Sequence, residues 1–229
     1  MQKTTKLPGN ARWIGDRRRA TKGEPPCPYL RNSFALPGPV RRATLQWTAL
    51  GVADLFLNGR KVGEDFLMPG WSDFRKRAQV MSADVTAMLR PGDNALGAIV
   101  GDGWYTGTLL WKNERNHYGT HPQLLARLDI ELHDGRKVRV ATGRGWQMRY
   151  GPVLFSDIYH GESYDARKEL GDWCESGASS KGWRPADIFP AYRGKLAPKV
   201  NEAVRVTQTL RARKITEPHG ENLAVFAMM

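Results

Sequence analysis

The chain has 229 residues, 35 Lys+Arg against 23 Asp+Glu and a formal net charge of +12, a length that suits one large β domain with a substantial core, or such a domain with a small neighbour. A surplus of this size raises nucleic acid or an anionic surface as a partner. Outside Arg17-Arg18-Arg19 and Arg75-Lys76-Arg77, however, the cations are dispersed, as at Arg136, Lys137 and Arg139, which reads as a solvated basic face and argues against nucleic-acid binding.

Residues 1–10 read as a loose leader, with Trp13-Ile14 the first anchored apolar pair. Pro25, Pro26 and Pro28 force extended chain into a strand around 33–36, because proline fixes its own φ and restricts the residue before it. ATLQWTAL (43–50) alternates in part and is expected to pair with the alternating run that ends at Asn58-Gly59. That dipeptide accepts the positive φ of a tight hairpin, so a return strand toward Pro69-Gly70-Trp71 should follow. SADVTAMLRPGDNAL (82–96) predicts one helical turn or a short helix capped by Ser82, stopped by Pro91 and followed by a turn at Gly92-Asp93-Asn94. ALGAIVG is then a buried strand that delivers GDGWYTG (101–107) at its end.

In the second half, LLARLDIEL and KVRVAT alternate around Asp134-Gly135 and predict a hairpin. A second helical signal covers 164–170. Many short strands between Gly/Pro turns predict an all-β fold, an antiparallel sandwich of jelly-roll or galactose-binding-like type with one or two short helices.

Asp102 beside Trp104 and Tyr105 is the main candidate site: an aromatic face packs on the apolar side of a pyranose while a carboxylate accepts bonds from its hydroxyls. The alternative is that Trp104 fills the core at a strand end and Asp102 caps a turn. SDIYHGESYDAR (156–167) adds Asp157, Glu162 and Asp165, interleaved with Tyr159 and Tyr164. Paired carboxylates invite a glycosidase reading, but spacing alone does not make an acid and a base, and acids in turns commonly cap backbone groups. No GxSxG, Walker or HExxH pattern is present, and GDGWYTG lacks the remaining glycine of a dinucleotide fingerprint. Cys27 and Cys174 form no zinc cage by themselves, and as unpaired thiols they fit a reducing compartment; one bridge is conceivable if the chain ends meet. With no signal-peptide core and no apolar run of about 18 residues, a cytoplasmic protein without a membrane partner is expected.

LNGRKVGEDFLMPGWSDFRKR, SADVTAMLRPGDNALGAIVGDGWYTG, YGTHPQLLARLDIELHDG and SDIYHGESYDAR occur in that order. Together they resemble the N-terminal β-sandwich region of bacterial α-L-rhamnosidases, which are glycoside hydrolases, over roughly residues 11–210. The resemblance implies a sugar-recognition and scaffold region, with rhamnose-containing glycans or glycosides as partners and the acid and base supplied by a catalytic helical barrel that this chain stops short of. It divides the chain into a leader and anchoring segment (1–30), the sandwich (31–200) and the truncated start of a following β module (201–229). It also places Trp111, Arg115, Asn116, His117 and Tyr118 near the Trp104 rim, with Arg115 and Asn116 as donors to hydroxyls. The carbohydrate-binding candidates are therefore Asp102, Trp104, Tyr105, Arg115, Asn116, Asp157 and Glu162, and no residue is assigned to catalysis. Calcium is the one ion the resemblance allows, through oxygen-rich loops such as Asp102, Asn116 and Asp157. A non-catalytic structural or protein-interaction sandwich without sugar binding is the competing expectation.

Overall fold

The computed structural model describes residues 10–109, 114–200, 202–216 and 225–227. The strands are, in chain order, β1 (Ile14–Gly15), β2 (Pro28–Leu36), β3 (Val40–Leu50), β4 (Val52–Leu57), β5 (Arg60–Lys61), β6 (Arg77–Asp84), β7 (Gly92–Gly101) and β8 (Gln123–Leu132). They continue as β9 (Lys137–Ala141), β10 (Gln147–Tyr150), β11 (Val153–Asp157), β12 (Gly161–Tyr164), β13 (Arg184–Pro185), β14 (Asp187–Ile188) and β15 (Lys195–Pro198). One sheet has the order β14-β1-β8-β3-β6-β15, with β9 also on β8; the other has the order β13-β10-β2-β7-β4-β5. Neighbours are antiparallel except β15, which runs parallel to β6. β11 and β12 form a separate two-stranded ribbon, and Lys214–Thr216 pairs with Val225–Ala227.

The sandwich forms because each sheet offers one apolar face. In β3 the inward set is Ala43, Leu45, Trp47 and Ala49; in β4 it is Ala53, Leu55 and Leu57, all buried. Those side chains meet Leu96, Ala98 and Val100 of β7 and Leu124, Leu128 and Ile130 of β8 in one cluster. Each fully buried leucine is worth about 1.5–3 kcal/mol relative to exposure, so the two facing sheets are the main source of stability. β7 is buried on both faces, because Trp173 and Cys174 lie over Gly97 where a side chain would collide.

The Asn58-Gly59 turn is a hairpin with φ of +49° and +75°. Asn58 is also an internal clasp: its Oδ1 accepts from Ala95 N at 2.8 Å, and its Nδ2 donates to Met88 O at 2.9 Å. The return strand, by contrast, is only the two residues of β5. The β8–β9 hairpin around Asp134-Gly135 forms as its sequence predicts, with Leu128 opposite Val140.

Two expectations are corrected. ATLQWTAL does not pair with the following strand: β3 pairs with β6 and β8, while β4 pairs with β7. At Gly51, φ +130°, the chain crosses in one residue from one sheet to the other, and alternation alone does not say which sheet a strand joins. Ser82 caps nothing, since it sits inside β6. The N-cap position is Val85, with no side-chain cap; Asp84 Oδ1, one residue earlier, accepts from Thr86 N at 2.9 Å and Thr86 Oγ1 at 2.6 Å, and of the two expected forms the single turn is the one present, the 3-10 turn Thr86–Met88. The 164–170 signal is likewise a three-residue turn, Ala166–Lys168, with Asp165 accepting from Arg167 N.

Candidate functional site

β7 ends at Gly101 and leads through Asp102 into a one-turn helix, α1 (Gly103–Thr106). Gly103 permits the bend: its φ is +49°, and a Cβ there would stand 2.7 Å from Val52 Cγ1. The turn drives Asp102 into the interior, where it is 0% exposed. Its Oδ1 receives Arg19 Nη1 at 2.8 Å and Thr106 Oγ1 at 2.6 Å, and its Oδ2 receives Arg115 Nη2 at 2.6 Å. Arg19 is itself buried, with Nε donating to Pro26 O at 2.7 Å and Nη2 to Pro25 O at 2.9 Å.

Asp157, at the end of β11, joins the same network through Arg115 Nη1 at 3.7 Å. Its oxygens accept from Thr108 N at 2.7 Å, Tyr159 N at 2.9 Å and His160 N at 3.2 Å. Burial on its own would raise this carboxyl, yet those backbone bonds outweigh it and hold Asp157 below the ordinary aspartate range. The guanidinium of Arg115 lies 5.3 Å from the Phe155 ring centroid. Two carboxylates and two guanidiniums thus neutralise each other inside the protein and tie 19–26, α1, the 114–116 loop and β11 into one unit.

Above this unit lies an aromatic surface. Trp71 is 47% exposed, and its ring is parallel to that of Trp104 within 1°, centroids 6.4 Å apart. Trp71 Nε1 donates to Tyr118 Oη at 3.4 Å. Tyr118 stacks with Tyr105 at 6.4 Å, and Phe74 meets both edge-on at 5.3–5.4 Å. Gly119 lies where any Cβ would enter the Tyr105 ring. The Arg75 guanidinium sits 5.3 Å from the Tyr118 centroid and its Nη2 is 3.0 Å from His117 Nε2. Parallel indoles flanked by donors are a surface on which an apolar sugar face can pack.

The seven sequence candidates therefore divide. Asp102 and Asp157 are not on a rim: both are buried, Asp102 engaged by Arg19, Arg115 and Thr106 and Asp157 by three backbone N–H groups with Arg115 at 3.7 Å, since a buried carboxylate needs its oxygens satisfied. Arg115 is the bridge between them. Asn116, at φ +65°, donates through Nδ2 to Thr21 O at 2.7 Å and so pins the loop. Trp104 and Tyr105 are half-buried members of the aromatic surface. Glu162 is exposed on β12 and lines a separate cleft of about 230 Å³ with Cys27 and Phe66. Trp111 lies outside the described residues.

The oxygen set Asp102, Asn116 and Asp157 does not fit calcium. Every carboxylate oxygen there faces an N–H, a hydroxyl or a guanidinium, the reverse of the field a cation needs, and among the described residues no three His, Cys, Asp or Glu converge as metal ligands. Cys27 and Cys174 are free and buried, and burial pushes each thiol up to about 12. Sequence reasoning missed Arg19, which looks like part of an exposed basic run, and Trp71, which looks like the end of a strand. For Trp71 the adjacent Pro69-Gly70 was a usable signal, since a large aromatic after a turn is often displayed; for Arg19 there was none.

Residues 38–208 match the family described as "Alpha-L-rhamnosidase N-terminal domain". The chain belongs to that family. An alpha-L-rhamnosidase of Streptomyces avermitilis is 44% identical over 193 residues, covering 82% of this chain and 18% of that protein; one from Formosa agariphila is 33% identical over 189 residues, covering 82% and 20%. The crystal structure of the Streptomyces avermitilis alpha-L-rhamnosidase complexed with L-rhamnose superposes with a TM-score of 0.80 at 42% identity, over 84% of this chain and 19% of that one. Native Aspergillus terreus α-L-rhamnosidase gives 0.86 at 31% identity, over 90% and 24%. This rhamnosidase N-terminal domain thus spans about a fifth of the length of the curated relatives it matches. A Pleurotus ostreatus lectin, at 17% identity and a TM-score of 0.52, shares the fold alone.

Proposed function

We propose that this rhamnosidase N-terminal domain recognises rhamnose-bearing glycosides through the Trp71–Trp104–Tyr118 surface and presents them to the catalytic barrel of an α-L-rhamnosidase, whose reaction is hydrolysis of terminal α-L-rhamnosyl bonds. The observation that carries the reading is the parallel Trp71–Trp104 pair, Trp71 exposed and Trp104 half-buried, with Arg75 and His117 beside it. The relative solved with L-rhamnose makes that sugar the first to test. Its 6-methyl and ring C–H face would lie on the indoles, and its hydroxyls would meet the polar rim. The buried Asp102 network serves as the rigid mount, since a recognition surface held in place loses less entropy on binding. Catalysis is assigned to no residue of this chain.

The test is an intrinsic-fluorescence titration with L-rhamnose and an aryl α-L-rhamnoside, comparing the native chain with Trp71→Ala. Binding that weakens at least tenfold in the variant, with thermal stability retained, supports the proposal. A flat titration at millimolar sugar in the native chain favours a scaffold whose aromatic face docks on a neighbouring domain.

A further inference from the structure

We infer that the open edge of the sandwich, between β4 and β6, is a second binding pocket that takes a single neutral pyranose. β5, which follows β4 at this edge, is only two residues long. The cavity of about 330 Å³ shares no lining residue with the Trp71–Trp104 surface, and its size is at the low end for ligand sites, room for one ring and not for a chain of them.

Three features of the wall define the occupant. Leu55, Val62, Met68 and Met81 supply an apolar lining. Trp47, 6% exposed, belongs to the same wall, and its indole Nε1 is buried with no hydrogen-bond partner. Such an orphaned donor is unfavourable unless something accepts from it, so the pocket offers one bond to a ligand oxygen. At the mouth, the charged lining residues are Asp54, Glu64, Asp65 and Arg205, and Lys61 pairs with Asp54 at 2.9 Å; the carboxylates suit sugar hydroxyls, while the apolar lining opposes an anionic ligand, whose charge would have to leave water. Asp65 is held by Arg205 at 2.7 Å and Lys199 at 3.7 Å, which fixes the mouth before any ligand arrives. A donor inside, apolar walls and acceptors at the rim are together complementary to a neutral pyranose with its ring oxygen or a hydroxyl turned toward Trp47.

The experiment follows the indole N–H resonances of the full chain by 15N NMR during titration with L-rhamnose, D-galactose and D-galacturonate. The inference expects the Trp47 resonance to move saturably with a neutral sugar and not with the uronate, and to do so equally in Trp71→Ala, which separates this pocket from the exposed face. Trp47→Phe, which keeps a ring but deletes the donor and its resonance, should weaken that binding about tenfold when followed through the backbone amide of Met81 at the lining, the worth of one buried hydrogen bond. If that variant fails to fold, Ala83→Trp, placed at the lining, should abolish the Trp47 response by filling the space. A Trp47 resonance unmoved by every sugar means the pocket holds water only and overturns the inference. So does equal binding of galacturonate, or a response that vanishes in Trp71→Ala.

Discussion

Replacing Asp102 by Leu should destabilise the domain more than replacing Asp102 and Arg19 together. Asp102 holds Arg19 at 2.8 Å with side-chain exposures of 0% and 1%, and it holds Arg115 at 2.6 Å. Removing the carboxylate strands a guanidinium that has almost no access to water, a perturbation that costs about 3–5 kcal/mol when one partner of a buried pair is lost. Arg19 keeps its bonds to Pro25 O and Pro26 O, and Arg115 is partly exposed, so the lower end, about 3 kcal/mol, applies. For a domain of this size that is a drop of roughly 6–12 °C in Tm. The assay is calorimetric or circular-dichroism melting of Asp102→Leu, Arg19→Met and the double variant. Removing both charges leaves neither unpaired, so the double variant should melt above Asp102→Leu, a coupling readable in the mutant cycle. An Asp102→Leu variant within about 1 kcal/mol of the native chain, or strictly additive effects, would refute the reasoning.

Gly97→Ala should destabilise by about 1–3 kcal/mol, as overpacking does, because the added Cβ would stand 2.5 Å from the Trp173 ring and 2.7 Å from Cys174 Sγ; urea unfolding and near-ultraviolet circular dichroism check it. Acid should weaken the fold in a defined window. For Asp157, burial would raise the carboxyl but the Thr108, Tyr159 and His160 bonds lower it; for Asp16, burial is likewise outweighed by bonds from Tyr150 and Arg184. A folded pKa below the unfolded value of about 3.9 contributes stability that is full above that value and lost as pH falls through the folded one. Urea midpoints should therefore fall steeply below about pH 4, and less steeply in Asp157→Asn. Both cysteines should resist a thiol reagent at pH 8 in the native chain and react fully in denaturant, since their thiols are buried and titrate near 12.

The fold was legible where local chemistry is decisive. Asn58-Gly59 and Asp134-Gly135 specify turns whatever surrounds them, and the alternation in β3, β4 and β8 specifies which side chains go inside. Sheet membership was not legible at Gly51, because a strand that alternates is equally ready for either sheet and only the packed core decides. The same limit explains the site. Asp102 next to Trp104 and Tyr105 reads as one cluster in sequence, yet α1 turns the carboxylate into the interior and leaves the two rings half-buried at the surface. The partner that settles its fate, Arg19, is 83 residues away and sits in a run of arginines that looks solvated. Trp71 and Trp104 come from separate segments and meet only through the sandwich.

The central claim is that the surface rings of this rhamnosidase N-terminal domain meet sugar. Its most direct test is the set of eight tryptophan side-chain resonances recorded with and without an α-L-rhamnoside. The account predicts that the Trp71 and Trp104 indoles shift together and saturate, while Trp146, buried in the main core, stays in place. Stationary Trp71 and Trp104 signals at saturating glycoside would contradict it.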